Sequence, residues 1–389
     1  MNKLFLLCAI CCLPMAALAQ TALLQSIEAH NTHLLAARDA NRALMADLRA
    51  ENRPGETSVE YSPFYQRGVS GTSSSELIVS QEFDFPTLYA ARTRQANAQQ
   101  QALDLQYAIL RRDVLLQAQQ LAYDLATARQ SHQLLLMRHQ AADSLLLAFQ
   151  HRLEQGDATL IDVNRIRMDR MAVSTDLVRN EAEIQSLLLS LQSLNGGQPI
   201  DQDLLSASLT DDLTPPSPLE PGSMPTGSLE LTASQHELQV TQHELRIAQQ
   251  SWLPSLTLGY RRNTELREAQ NGMLLGVSIP LFSNTGKVKA ARLRRSAAEY
   301  ELEGVEHDQQ ARYETLQNRA LQLHHLLETY DEALLRQQLT LLRHAVSAGE
   351  LSVIDYFTES DRIYSLLQER LQTQNEYRKT EAEIYRDRL

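Results

Sequence analysis

The sequence has 389 residues, which is enough for two or three ordinary domains. Its formal net charge of −12 argues against a nucleic-acid partner. Only 5% of the residues are aromatic, and Ala, Leu, Gln, Arg and Glu are abundant. This composition is typical of long helices with many partly exposed faces.

Residues 1–19 have the pattern of a secretory signal peptide. Lys3 supplies the positive charge, Leu4 to Leu13 forms an apolar core, and Ala17-Leu18-Ala19 predicts cleavage before Gln20. The apolar core is too short to span a membrane, and no later stretch approaches 18 continuous apolar residues. We therefore predict an exported chain without a transmembrane helix.

The cysteines all lie inside this segment, at Cys8, Cys11 and Cys12. The mature chain therefore has neither disulfides nor thiolate metal sites. The histidines are scattered along predicted helices without a compact ligand spacing. No nucleophile elbow, phosphate loop or dinucleotide fingerprint is present. We predict no catalytic residues, no metal site and no cofactor, and hence no enzyme.

The first repeat, residues 20–197, begins with a helical pattern from Thr21 to about Asn52 that Pro54 ends. Two strands are predicted next, at 57–69 and 76–85. The second strand alternates, with apolar residues on one face and mainly acidic or polar residues on the other. Its ten residues are also the length of a membrane β-strand.

A helical hairpin is predicted over residues 86–195. Apolar residues recur in its first helix at every seventh position, which is typical of a supercoiled seam. The row is Tyr107, Val114, Leu121, Ala128, Leu135, Ala142 and Phe149. At about 1.5 Å per residue, a helix from Pro86 to Gln155 would be about 100 Å long.

A second repeat, residues 228–389, follows a proline-rich linker at 198–227. It has the same plan: a helix, strands at 256–262 and 273–281 separated by a polar loop at 263–272, and a hairpin at 287–389. One long helix is expected to run to about Ser347. Its seven-residue row is Tyr313, Ala320, Leu327, Leu334, Leu341 and Ala348. This internal duplication is the strongest constraint on the fold.

Each hairpin has a glycine at its tip, Gly156 in the first and Gly349 in the second. Glycine permits the left-handed turn that ends a helix. The residues that follow predict capping boxes that start the return helices, and they are candidates for a gate. These capping and gate residues are Thr159, Asp162, Ser352, Asp355 and Glu359.

The strands suggest a membrane surface. Aromatic residues near the strands are candidates for a membrane-interface girdle, namely Tyr61, Trp252 and Tyr260. Ordinary core packing is the alternative for these aromatics. The predicted lipid-facing residues are Leu77, Val79, Phe83, Phe85, Leu275, Val277 and Ile279.

One chain offers four strands, too few to close a barrel that hides its edges from lipid. Three chains would supply twelve. We therefore expect a mainly α chain with a small β part, made of two tandem helix-strand-strand-helix repeats. As a trimer it would form a long α-helical barrel and a 12-stranded transmembrane β-barrel.

The duplicated plan, the prolines Pro54 and Pro254 before the strands, Leu194-Asn195-Gly196, and both tips resemble the TolC-type outer-membrane efflux factors. The resemblance covers essentially the whole mature chain. It implies a passive homotrimeric duct in the Gram-negative outer membrane, with the linker in an equatorial region. It also implies a periplasmic adaptor, an inner-membrane exporter of resistance-nodulation-division type and outer-membrane lipid as partners. The exported cargo would be small molecules or cations.

The same resemblance places Asp162 at a hydrogen-bond latch and Asp355 in a ring of acids in the lumen. The family's latch also uses a tyrosine and an arginine, but this sequence has Val346 and Leu351 at those positions. A latch of that kind is therefore not expected. Glu359 lies one helical turn after Asp355 and is a further candidate for the ring.

Two other classes of protein remain open. A periplasmic adaptor also has a coiled-coil hairpin and β segments, although usually one hairpin between β-domains. A structural coiled coil would leave the alternating strands unexplained. Within the channel class, a type I protein secretion outlet is a further alternative.

Overall fold

The computed structural model describes residues 15–68, 72–200, 228–265, 268–280, 284 and 286–389, with side chains from residue 22 onward. Residues 1–14 of the predicted signal peptide and residues 201–227 of the predicted linker lie outside this set. No described helix combines the length and the apolar character that crossing a membrane requires.

The described chain is mainly helical with one small sheet. In chain order the elements are α1 (Met15–His30), α2 (Thr32–Glu51), β1 (Thr57–Phe64), β2 (Ser74–Phe83), α3 (Pro86–Gln155), α4 (Leu160–Leu194), α5 (Leu229–Gln250), β3 (Ser255–Glu265), β4 (Glu268–Ser278), α6 (Lys287–Glu328), α7 (Glu332–Ala348), α8 (Val353–Ile384) and a 3-10 turn (Arg386–Arg388). The predicted fold class, mainly α with two pairs of strands, is confirmed.

The chain divides into two compact units. The helical unit contains Met1–Leu35, Leu110–Met224 and Gln310–Leu389, and the sheet unit contains Ala36–Ile109 and Pro225–Gln309. Helices α3 and α6 each run through both units. Each predicted repeat therefore contributes segments to both.

The sheet is antiparallel, in the order β1-β2-β3-β4. Its central pairing, β2 with β3, joins the two halves of the sequence, with Val79 opposite Tyr260. Next to the sheet, α3 packs on α5 through Ala98, Ala102 and Val240. These small side chains let the two helices approach closely.

The strand ends differ from those predicted. β1 stops at Phe64, and β2 covers 74–83, so Phe85 lies just past its end, as Ile279 does after β4. The predicted polar loop at 263–272 is largely strand, with Asn263 paired to Gln270. Polar residues continue the ladder here because backbone hydrogen bonds, not side-chain burial, hold the end of a hairpin.

The first predicted helix is interrupted at Asn31, between α1 and α2. The buried Asn31 side chain accepts a hydrogen bond from the Leu34 backbone N–H (3.0 Å) and donates one to the Leu194 carbonyl (2.8 Å). Asparagine competes with the helical backbone for hydrogen bonds and is therefore favoured at such a start. The interruption thus ties α1 and α2 to the end of α4.

The prediction of one long helix from residue 287 to about Ser347 is also wrong. The helix breaks at residues 329–331. The Asp331 carboxylate accepts the Leu334 N–H (2.9 Å) and starts α7 anew. After the break the seven-residue row leaves the core. Leu334 and Leu341 are 49% and 51% exposed.

Two adjacent arginines on α3 anchor other segments of the helical unit. Arg111 makes two hydrogen bonds of 2.7 Å to the Glu28 carboxylate on α1. The buried Arg112 pairs with Asp387 at 2.7 Å. The hydrogen bonds from Arg111 hold the pKa of Glu28 below its usual value, against the effect of burial.

Replacement of Glu28 by Gln should lower the free energy of unfolding at pH 7 by about 0.5–1 kcal/mol, the range for partly exposed ion pairs. A lowered pKa gives stability that is present above the unfolded value and lost as the pH falls through the folded value. The difference between wild type and Glu28→Gln should therefore shrink as the pH falls from about 5 to 3. Urea unfolding at several pH values tests this. A difference that stays constant would contradict it.

Candidate functional sites

The tip of the first hairpin is a compact turn between α3 and α4. Gly156 has φ +81°, and the Asp157 N–H donates to the Arg152 carbonyl at 2.8 Å. The Thr159 hydroxyl oxygen accepts from the Asp162 N–H (3.2 Å), and the Asp162 carboxylate accepts from the Thr159 N–H (3.0 Å). These reciprocal bonds form a capping box that fixes where α4 begins.

The second tip has a similar glycine turn between α7 and α8, but only the hydroxyl half of the predicted capping box. Gly349 has φ +80°, and the Glu350 N–H donates to the Ala345 carbonyl at 3.0 Å. The Ser352 hydroxyl accepts from the Asp355 N–H (3.1 Å) and donates to the Asp355 carboxylate (2.6 Å). Asp355, which the sequence also suggests as a gate residue, thus holds the Ser352 cap in place.

The two tips share one apolar core, which we call the tip cluster. Its buried members come from α3, α4, α7 and α8: Leu145, Phe149, Val163, Ile166, Val346, Val353, Tyr356 and Phe357. Burial in this cluster raises the pKa of Tyr356 to about 12. Because all four helices contribute, a shift of either hairpin at its tip would expose apolar side chains of the other hairpin.

Arg152 adds a contact above the tip cluster. Its guanidinium lies 5.0 Å from the centre of the Phe149 ring. A Cβ atom at Gly349 would lie 3.1 Å from Arg152 Nη2. The side chain of the first tip therefore packs directly on the glycine of the second.

The two positions where the sequence lacks latch residues are apolar contacts. Val346 is fully buried in the tip cluster, and Leu351 packs against it. A tyrosine or arginine at these positions would present a polar group to this contact. The tips are thus held by apolar packing at the positions where the resembled family has a polar latch.

The predicted gate acids lie on two helices, Asp162 on α4 and Asp355 with Glu359 one turn apart on α8. Asp162 is half-buried, whereas Asp355 and Glu359 are exposed along α8. Within one chain, Asp162 and Asp355 each bond to their own capping residue. Among the described residues, no group of three His, Cys, Asp or Glu side chains could hold a metal ion.

Sequence reasoning missed a bridge between the hairpins. Arg138 on α3 donates to Asp169 on α4 and to Asp361 on α8, both at 2.5 Å, and its guanidinium lies 5.2 Å from the Tyr364 ring centre. Burial raises the pKa of Asp169, and Arg138 opposes that effect. No local signal reveals this bridge, because each charge alone resembles an ordinary helix-face residue.

Residues directly opposite each other lie on the same side of a sheet, so the strand register gives one mainly apolar face, which also carries Arg262 opposite Leu77, and one polar face. The apolar face includes the predicted lipid-facing residues within the strands. Exposed members are Val59 (65%), Tyr61 (61%), Leu258 (50%), Tyr260 (42%), Met273 (86%), Leu275 (72%) and Val277 (63%). This is a large exposed apolar patch, which marks an interaction surface.

The predicted aromatic girdle is not a single cluster. Tyr61 and Tyr260 lie on the apolar face of the sheet, on β1 and β3. Trp252, 47% exposed, lies before the start of β3, eight residues from Tyr260. Between these two residues the chain passes through a turn and Pro254 before β3 begins at Ser255.

The opposite face of the sheet is acidic. Arg261 on this face forms an ion pair with Glu76. The carboxylates that alternate onto the same side are Glu60, Glu76, Glu82, Glu265 and Glu268. Water, not lipid, is the solvent that suits this face.

No protein-family model and no curated protein matches the sequence. Solved structures do. The chain is similar to a membrane protein from Pseudomonas aeruginosa (TM-score 0.74, 16% identity, 95% of this chain and 90% of that chain). It is also similar to the CmeC outer membrane channel of Campylobacter jejuni (0.74, 14%, 95% and 85%). The open state of the MtrE outer membrane channel of Neisseria gonorrhoeae matches as well (0.73, 14%, 95% and 88%). The chain therefore has the fold of these channels.

Proposed function

We propose that the chain is the outer-membrane channel of a tripartite efflux system, a passive duct and not an enzyme. The main observation in support is the sheet, whose exposed apolar face suits lipid and whose acidic face suits water. The shared fold with outer membrane channels supports the same role. The cargo would be small molecules or cations.

The working form is a homotrimer. The sheet has two edge strands, β1 and β4, whose unpaired backbone groups lipid cannot satisfy. Three copies joined edge to edge would give a closed barrel of twelve strands. The apolar face would then contact outer-membrane lipid, and the acidic face would line the lumen.

Exposed apolar residues on α4 support assembly of the helices as well. They follow a seven-residue pattern along one face: Ile161 (77%), Met168 (59%), Met171 (67%), Val178 (66%) and Leu189 (64%). Such a stripe is typical of a seam between long helices. We assign it to contact with a second copy of the chain.

The partners follow from this role. A periplasmic adaptor and an inner-membrane exporter, of resistance-nodulation-division type, would deliver cargo to the duct. The two repeats, residues 20–197 and 228–389, would each contribute one hairpin and two strands to the wall. The linker at 198–227 would lie in an equatorial region.

Light scattering of the detergent-solubilised protein and conductance in planar bilayers test the proposal. A trimeric mass together with discrete channel steps is the expected result. A monomeric mass, or a membrane without conductance, would contradict it. Migration in the soluble periplasmic fraction would instead favour an adaptor.

The exposed acids of α8 give a further prediction. The double variant Asp355→Ala, Glu359→Ala should raise basal conductance or weaken the preference for cations, since a trimer would lose six carboxylates that attract cations and repel one another. Conductance and reversal potential in a salt gradient measure both effects. If neither value changes, these acids do not line the path.

A further inference from the structure

The helical unit contains an open cleft between α3, α4 and α8, about 480 Å³ in volume. This volume lies within the range of small-molecule sites. Its wall includes apolar groups, chiefly Leu135 and Tyr364, and polar groups from α4 and α8. None of the predicted gate acids lines the cleft.

Asn180 lines this cleft in an unexpected position. It continues the buried row Ile166 and Val173 at seven-residue spacing and is only 7% exposed. Its Oδ1 is shielded from solvent and accepts no hydrogen bond from any described residue. An unsatisfied buried acceptor of this kind costs about 1–3 kcal/mol.

A buried asparagine can also serve to fix the register of packed helices. In that role it is retained at a cost in stability and normally pairs with a polar partner. Here the Oδ1 atom has no such donor within the described chain. The acceptor is therefore suited to a donor that comes from outside.

The charges around the cleft favour a cation. Arg138 is balanced by Asp169 and Asp361, and Arg179 lies 3.5 Å from Asp176. Two further carboxylates on the wall, Glu183 and Glu369, are exposed. With these two carboxylates, the charged groups named around the cleft have a net negative charge.

We propose that this cleft binds an organic amine in its ammonium form. The ammonium group donates to Asn180 Oδ1 and is attracted by Glu183 and Glu369, while its hydrocarbon stem packs on Leu135 and Tyr364. Rotation of the Asn180 amide about its broad terminal torsion turns Oδ1 toward the ligand. This site goes beyond the proposed channel and does not depend on it.

Calorimetric titration of the full chain in detergent tests the site with 4-phenylbutylamine, protonated at pH 7, and its neutral analogue 4-phenylbutan-1-ol. The amine should bind, and the alcohol should bind at least about tenfold more weakly. Asn180→Leu should weaken amine binding about tenfold, the effect of one lost hydrogen bond. Asn318→Leu, the same change at an exposed position of α6, should leave it unchanged.

The variants also separate binding from folding. Asn180→Leu removes an unsatisfied acceptor and should melt at or above the wild-type temperature. Asn180→Asp keeps the size of the side chain, adds a carboxylate and should bind the amine more tightly. Equal binding of amine and alcohol, wild-type affinity in Asn180→Leu, or no binding to the assembled protein, as when a second copy covers the cleft, would overturn the proposal.

Discussion

Replacement of Ile166 by Ala should lower the free energy of unfolding of the helical unit by about 2–5 kcal/mol. Ile166 is fully buried in the tip cluster, where it packs with residues from both hairpins. The loss has two parts, the transfer free energy of the deleted methyl groups and the cavity that they leave. Urea unfolding followed by circular dichroism, with limited proteolysis at the tips, measures it.

A matched control is available on α8. Ile354 is 52% exposed and directly follows the buried Val353, so Ile354→Ala makes the same chemical change outside the cluster. Its effect should stay within about 0.5 kcal/mol. Proteolysis should become faster at both tips in Ile166→Ala, because the cluster joins them. Faster cleavage at the first tip alone would show that the hairpins do not stabilise each other.

The sequence predicts the tips well because their signals are local. A glycine, a hydroxyl residue and a carboxylate within seven positions specify the turn and the helix start at Gly156 and again at Gly349. The tip cluster is different. It joins residues from Leu145 to Phe357, and no spacing within one helix indicates which faces of two hairpins will meet.

Helix breaks were harder to predict than helices. Leu334 and Leu341 continue the seven-residue spacing of Leu327, so the pattern favours one unbroken helix. Asp331 changes this by capping the Leu334 N–H, and the two leucines then face outward. A single capping side chain outweighs the periodicity because the buried face is completed by other residues, among them Val346.

Period two predicts the faces of the sheet but not the length of its strands. Leu77 and Val79 lie on the apolar face as the alternation indicates, whereas the ends of β3 and β4 consist of polar residues that resemble a loop. The bridge from Arg138 to Asp169 and Asp361 illustrates a further limit. Its charges are 31 and 223 residues apart in sequence, so only the folded chain brings them together.

Replacement of Leu275 by Arg should abolish stable insertion of the sheet into a membrane. Leu275 is 72% exposed and lies opposite Leu258 on the apolar face. If this face contacts lipid, an arginine near the middle of the membrane costs about 2–4 kcal/mol for each chain. Three chains would each carry this cost in a trimer. Heat-modifiable migration after refolding into phosphatidylcholine vesicles measures the folded fraction, which should fall strongly.

The neighbouring residue supplies the control, because a strand turns successive side chains to opposite faces. Leu274 lies opposite Gly259 on the acidic face, so Leu274→Arg introduces the same charge on the side proposed to line water. This variant should insert nearly as well as wild type, since the new guanidinium stays hydrated near several carboxylates. Equal loss in both variants would mean that arginine disturbs the sheet itself, and equal tolerance would mean that neither face meets lipid. Only a loss confined to Leu275→Arg supports a membrane-facing side.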